Sequence, residues 1–164
     1  MTAESSGLVI VRDMSVYDLS ALMAETRKLA ANFRETTGQA LPVTVELARF
    51  DAITLLGLEE VEGSDTKASL MTPEGEVTFQ VKGRVIFSGK KARERVGQLN
   101  LDGHWDVTLL VIYDSEYNPR FIYQAPRTLL VEHTPAKNKR GSMTVAKFKA
   151  IGELVWHADD EQSS

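Results

Sequence analysis

EVTFQVKGRVIF, residues 76–87, is the stretch on which the reading of this chain turns. Its side chains alternate with the period of two that a half-buried β-strand requires. Phe79, Val81, Val85 and Phe87 fall on one face, and Thr78, Gln80, Lys82 and Arg84 on the other. Gln80 and Lys82 therefore project from one face about 7 Å apart. The run before it, DTKASLM from Asp65, is joined to it by TPEGE. Two extended runs around a Pro/Gly turn predict a β-hairpin over 65–87.

Upstream, apolar residues recur at helical spacing from Val16 to Thr37 (Leu19, Leu22, Met23, Leu29, Ala30, Phe33), with Ser15 as a cap and Gly38 as a stop. QALP breaks the pattern. TVELARFDAITLLGL then predicts a second helix, apolar on most sides and so buried. Glu46 stands in its first turn, on the side shared with Phe50 and Ile53, and an acid there is costly unless it faces a partner or an ion.

Downstream, SGKKARERVGQLNLDGH reads as a short helix or an exposed loop. WDVTLLVIYD is a strand buried on both faces, RFIYQA another strand, and PRTLLVEH a short helix beginning at Pro126. Thr144 caps a last helical segment, VAKFKAIGELVW, with Val145, Phe148, Ile151 and Val155 on one side. The order ααββ, irregular, ββαα predicts an α/β (α+β) fold, a central mixed sheet with a β-hairpin flanked by helices. A single domain is expected over 1–164, with N-terminal helices at 15–57, the hairpin at 65–87, core strands at 105–125, a C-terminal helix at 144–157, and flexible ends at 1–8 and 158–164.

Apolar residues make up 43% of the 164 and charged residues 26%, the balance of a soluble globular chain. No apolar run is long enough for a membrane span, and MTAESSGLVIVRD lacks the basic start of a signal peptide. The chain has no cysteine, so thiolate and zinc-thiolate chemistry are excluded; a cytoplasmic location fits. His104, His133 and His157 lack metal-ligand spacing, and neither a P-loop nor a GxSxG elbow is present. The net charge is −4, but the cations are concentrated. Lys82, Arg84, Lys90, Lys91, Arg93 and Arg95 lie together with one acid, Glu94. Lys137, Lys139, Arg140, Lys147 and Lys149 lie together with none. Basic clusters on an acidic body are the footprint of phosphate-backbone binding.

A helix glutamate (Glu46 in VELA), an aspartate at a strand start (Asp65 in GSDTK) and Gln80-Val81-Lys82 on the next strand resemble the PD-(D/E)XK, or restriction-endonuclease-like, nuclease superfamily over roughly 43–123. VKGRV, LNLDGHWDVTLLVIYD and VAKFKAIGELVW are similar to segments of a family of small bacterial proteins with a D…QxK variant of the motif. The resemblance implies a Mg²⁺- or Mn²⁺-dependent endonuclease acting on DNA, in restriction, defence or repair. It implies a catalytic set of Glu46, Asp65, Gln80 and Lys82. Asp65 would ligate the metal, the Gln80 amide oxygen or the Val81 carbonyl would add a second ligand, and Glu46 would hold a metal-bound water. Lys82 would orient the attacking water or stabilise the charged transition state, and Arg84 would hold a neighbouring phosphate. Lys90, Lys91, Arg93, Arg95, Lys139, Arg140, Lys147 and Lys149 would contact nucleic acid. Gln80 stands where the superfamily usually has an acid, which removes a charge from the metal site. Two alternatives follow: a degenerate module that binds nucleic acid or a partner protein without cutting, and an interaction protein whose hairpin face is simply solvated. Nuclease domains of this size often act as homodimers.

Overall fold

The computed structural model describes residues 2–64, 66–87, 94–135 and 141–159, with side chains from Asp18 onward. The chain divides into two compact units, Met1–Leu41 and Pro42–Ser164. The first unit carries α1, Thr2–Thr37, which starts well before the expected cap at Ser15. Gly38 ends it as expected, in the left-handed region at φ +76°, with its N–H donating to Arg34 O at 2.9 Å.

The second unit opens with α2, Thr44–Leu56, closed by Gly57 in the αL conformation. Six strands follow and form one sheet in chain order: β1 Glu59–Glu60, β2 Lys67–Thr72, β3 Gly75–Val85, β4 Val107–Tyr113, β5 Pro119–Pro126 and β6 Glu153–His157. Two short helices, α3 Arg127–Glu132 and α4 Val145–Ile151, lie between β5 and β6 in sequence. β3 pairs with β4 in parallel, and every other pair is antiparallel. The architecture is α+β, a mixed sheet flanked by helices. Among the described residues no helix is long and apolar enough to cross a membrane.

The hairpin forms as β2 and β3, with Thr72 opposite Gly75 across the turn. β4 is buried from Thr108 to Tyr113, as its unbroken apolar run demands. The expected C-terminal helix over 144–157 is corrected. Thr144 does cap α4, its hydroxyl accepting from Lys147 N at 3.1 Å, but α4 stops at Ile151. After Gly152 the chain extends, and Glu153–His157 becomes the edge strand beside β5. The reason is local: Val155 continues the helical period from Ile151, yet ELVWH is equally a short β-prone run, and pairing with Phe121–Gln124 satisfies its backbone.

Two layers cover the sheet. α2 buries Leu47, Ala48, Asp51 and Ala52 and packs on the face of β3 that carries Phe79, Val81, Gly83 and Val85. Contact is close at Gly83, where a Cβ would stand 2.7 Å from Ala48 Cβ and 3.0 Å from Thr44 Cγ2. The opposite face is covered by the connection between β3 and β4 together with α3 and α4. Val96, Leu99, Trp105, Leu130, Met143, Val145 and Phe148 form one core there with Leu110, Ile112 and Ala125 of the sheet. The described part of that connection, from Glu94, holds no helix, and its Val96 and Leu99 are fully buried rather than exposed.

Gly83→Ala places a methyl into the α2–β3 contact. Overpacking of this kind costs about 1–3 kcal/mol. The urea midpoint should fall accordingly, with no change in slope. A midpoint equal to wild type would mean that α2 does not rest on β3 at this point.

Candidate nucleic-acid interface

The polar face of β3 is a covered one. Gln80 is 5% exposed, and its amide Nε2 donates to Leu99 O at 2.8 Å and to Thr108 Oγ1 at 3.0 Å. Arg84 donates through Nε to Arg95 O at 2.6 Å and through Nη1 to Gly83 O. Gly97 sits at φ +91°, and a Cβ there would collide with the Arg84 guanidinium, so glycine is required on both counts. Gln80 and Arg84 thus supply donors to the carbonyls of the irregular connection lying over them, groups that would otherwise be costly to cover.

Lys82 projects between these two and is half-buried. Among the described residues it has no hydrogen-bond or ion-pair partner. Burial lowers its pKa from the ordinary lysine value, and the positive charge of Arg84 lowers it further. Burial lowers the Arg84 pKa as well, with the Glu94 carboxylate working the other way.

Of the other described residues of the expected metal site, Glu46 lies away from Lys82. Glu46 is exposed, on the helix that covers the opposite face of β3. The acid that α2 buries is Asp51, 5% exposed, whose Oδ2 accepts the Tyr113 hydroxyl of β4 at 2.6 Å. The sequence had placed the costly acid five positions too early. Val81 donates its N–H to Thr66 O at 2.9 Å, so its carbonyl points to the same side of the strand, within the sheet. Asp65 lies outside the described residues. Gln80 spends its amide hydrogens inside the core and Glu46 lies behind the sheet, so these two do not converge on one cleft. Nor is there, among the described residues, any group of three or more His, Asp or Glu that could hold a metal.

Residues 94–99 and 141–145, which adjoin the two basic segments, are by contrast brought together. Val96 N donates to Met143 O at 2.9 Å, Val145 N to Glu94 O at 2.8 Å, and Leu99 N to Gly141 O at 3.1 Å. Arg95 and Thr144 form an isolated antiparallel bridge, and Arg95 Nε donates to Ser142 Oγ at 3.1 Å. This short ladder joins residues 94–99 to 141–145; Arg95 and Lys147 are both exposed, and the Lys147 ammonium donates to His133 O at 2.7 Å. Lys90, Lys91, Arg93, Lys139 and Arg140 lie outside the described residues. Lys149 turns elsewhere, its ammonium 5.8 Å from the Phe121 ring centroid and 5.7 Å from that of Tyr123.

Compared with known protein families and with curated proteins, the sequence matches no family model and no characterised protein.

Two substitutions test this account of the covered face. Gln80→Glu supplies the acid that the superfamily motif usually carries, but sets a carboxylate against the Leu99 carbonyl and removes both donors. Stability at neutral pH should fall by about 1–3 kcal/mol, the cost of unpairing a buried acceptor. The loss should shrink on acidification, because a neutral carboxyl can donate again. Lys82→Met removes an uncompensated half-buried charge, so its thermal midpoint at pH 7 should equal or exceed that of wild type. The folded-state pKa of Lys82 lies below 10.5, so between the two values the unfolded chain holds a proton the folded one has lost. Wild-type stability gains from this group as pH rises through that window, and the advantage of Lys82→Met should narrow there. A clear loss of stability in Lys82→Met at pH 7 would show that the ammonium is paired.

Proposed function

We propose that this chain is a nucleic-acid-binding module of restriction-endonuclease-like strand order that holds a phosphate backbone without cutting it. The observation that carries the reading is the ladder between the segments ending at Arg95 and beginning at Gly141. The ladder sets residues 94–99 beside 141–145, stretches that adjoin two basic clusters far apart in an acidic sequence, and Arg95 and Lys147 are exposed. On this reading the two clusters share one phosphate-binding surface. Concentrated charge of this kind attracts a polyanion by releasing its counterions. The order of elements also supports it: α2, the antiparallel strands β1 to β3, a crossover, and β4 parallel to β3 follow the layout that the motif resemblance implies. The crossover departs from that layout in having no helix in its described part.

Binding rather than cleavage is favoured by the positions of Gln80 and Glu46. One is sealed beneath Leu99, and the other stands behind the sheet. One observation favours a second reading, Mg²⁺- or Mn²⁺-dependent cleavage at the hairpin: Lys82 is half-buried, without a described partner and with a lowered pKa, a state that recurs in reactive lysines.

Fluorescence anisotropy with labelled single-stranded and duplex DNA separates these readings. Affinity should fall by orders of magnitude between about 50 and 200 mM salt if several phosphates are contacted. Arg95→Gln and Lys147→Gln should each weaken binding to all sequences alike and reduce the salt slope by roughly one. Salt-independent binding, or none, would sink the proposal. The same DNA incubated with Mn²⁺ should stay intact. Products that disappear in Asp65→Ala and Lys82→Ala would overturn the non-cutting reading in favour of the second.

A further inference from the structure

Beyond the basic surface, the side of the sheet that carries α4 contains a cavity of about 430 Å³. That volume lies within the roughly 300–1,000 Å³ usual for small-ligand pockets. Ile112, Phe121 and Val145 make apolar walls, and Arg120, Lys149 and Asp114 supply the charged groups. The three charges are not equivalent. Asp114 Oδ1 accepts from the backbone N–H groups of Glu116 and Asn118, both at 3.0 Å, so this carboxylate is committed to the turn between β4 and β5. Lys149 and Arg120 have no ion-pair partner among the described residues. The Lys149 ammonium is held over the Phe121 and Tyr123 rings, 5.8 and 5.7 Å from their centroids, at the edge of the apolar walls.

Arg120 is brought there by an irregularity of the sheet. Ile112 pairs with Phe121 and Tyr113 with Pro119, which leaves Arg120 as the unmatched residue of a bulge. A bulge re-aims a side chain that regular pairing would send elsewhere, and bulges are frequent beside binding sites. Apolar walls and two cations set against one carboxylate, itself held by the turn, leave the cavity apolar with a net positive charge. We propose that this cavity binds a small organic anion, with a flat or branched apolar body against Ile112, Phe121 and Val145 and a single carboxylate, sulfonate or phosphate group between Arg120 and Lys149. The site is separate from the Arg95–Lys147 surface and does not rest on nucleic-acid binding.

The test uses 1-naphthoate as probe and 1-naphthalenemethanol as its uncharged counterpart, each titrated into the ¹⁵N-labelled full chain and followed by amide shifts. Naphthoate should perturb the amides of Ile112, Phe121, Val145 and Lys149, and should bind at least about tenfold more tightly than the alcohol, as one charge-assisted contact would give. Lys149→Gln, an exposed substitution, should erase most of that preference; Lys149→Arg should keep it; Arg120→Gln should weaken it. Equal binding of acid and alcohol to wild type would overturn the proposal. So would an undiminished preference in Lys149→Gln, perturbations centred elsewhere, or none at millimolar probe.

Discussion

The parallel pairing of β3 with β4 is the constraint from which the rest of the second unit follows. Antiparallel neighbours can be joined by a tight turn, but parallel neighbours oblige the chain to travel back the length of the sheet. The described part of that return, from Glu94 onward, lies across the face of β3 that carries Gln80, Lys82 and Arg84. In most folds such a crossover is a helix that satisfies its own backbone. Here the described part is irregular, and its carbonyls need donors from outside. Gln80 meets Leu99 O and Arg84 meets Arg95 O. The polar residues of the strand are therefore part of how the fold closes, and the same ties bring residues 94–99 alongside 141–145. The candidate phosphate-binding surface is a product of that closure.

The other layer obeys a different rule. α2 approaches β3 at Gly83, a position without a side chain, and the nearness of Ala48 and Thr44 leaves no room for one. A short buried hydrogen bond from Tyr113 to Asp51 fixes the helix against β4 at the same time. Close packing alone tolerates a range of helix positions, whereas a buried polar pair that must be satisfied selects one.

Most of the sheet was legible because its signals are local. Alternation gave β3, an unbroken apolar run gave β4, the Pro/Gly turn gave the hairpin, and Gly38 and Thr144 marked helix ends that the structure keeps. What was illegible depends on contacts distant in sequence. Alternation assigns Gln80 to a face of β3 but cannot say whether solvent, metal or Leu99 lies above it. α2 is apolar on most sides, so its phase is ambiguous from sequence, and Glu46 rather than Asp51 drew attention as the buried acid. β6 was read as helix because Val155 extends the period of Val145, Phe148 and Ile151, while the partner that makes it a strand is thirty-odd residues back. The bulge that redirects Arg120 has no sequence signature at all.

The sheet keeps the order of the chain from β1 to β6, and this has a kinetic consequence. The strands from β1 to β3, and β5 after β4, can each dock on a neighbour after closing a short loop, and early pairing of β2 with β3 needs only the turn at Pro73 and Glu74. Two strands have longer connections to their neighbours, β4 after residues 86–106 and β6 after residues 127–152, and of the two only β4 pairs in parallel. Loop-closure entropy slows both, and the slow registration of parallel strands makes the β3–β4 encounter the bottleneck. Folding of this unit is accordingly expected to divide into a fast hairpin phase and a slower one in which the crossover, its glutamine and arginine ties and the second core arrive together.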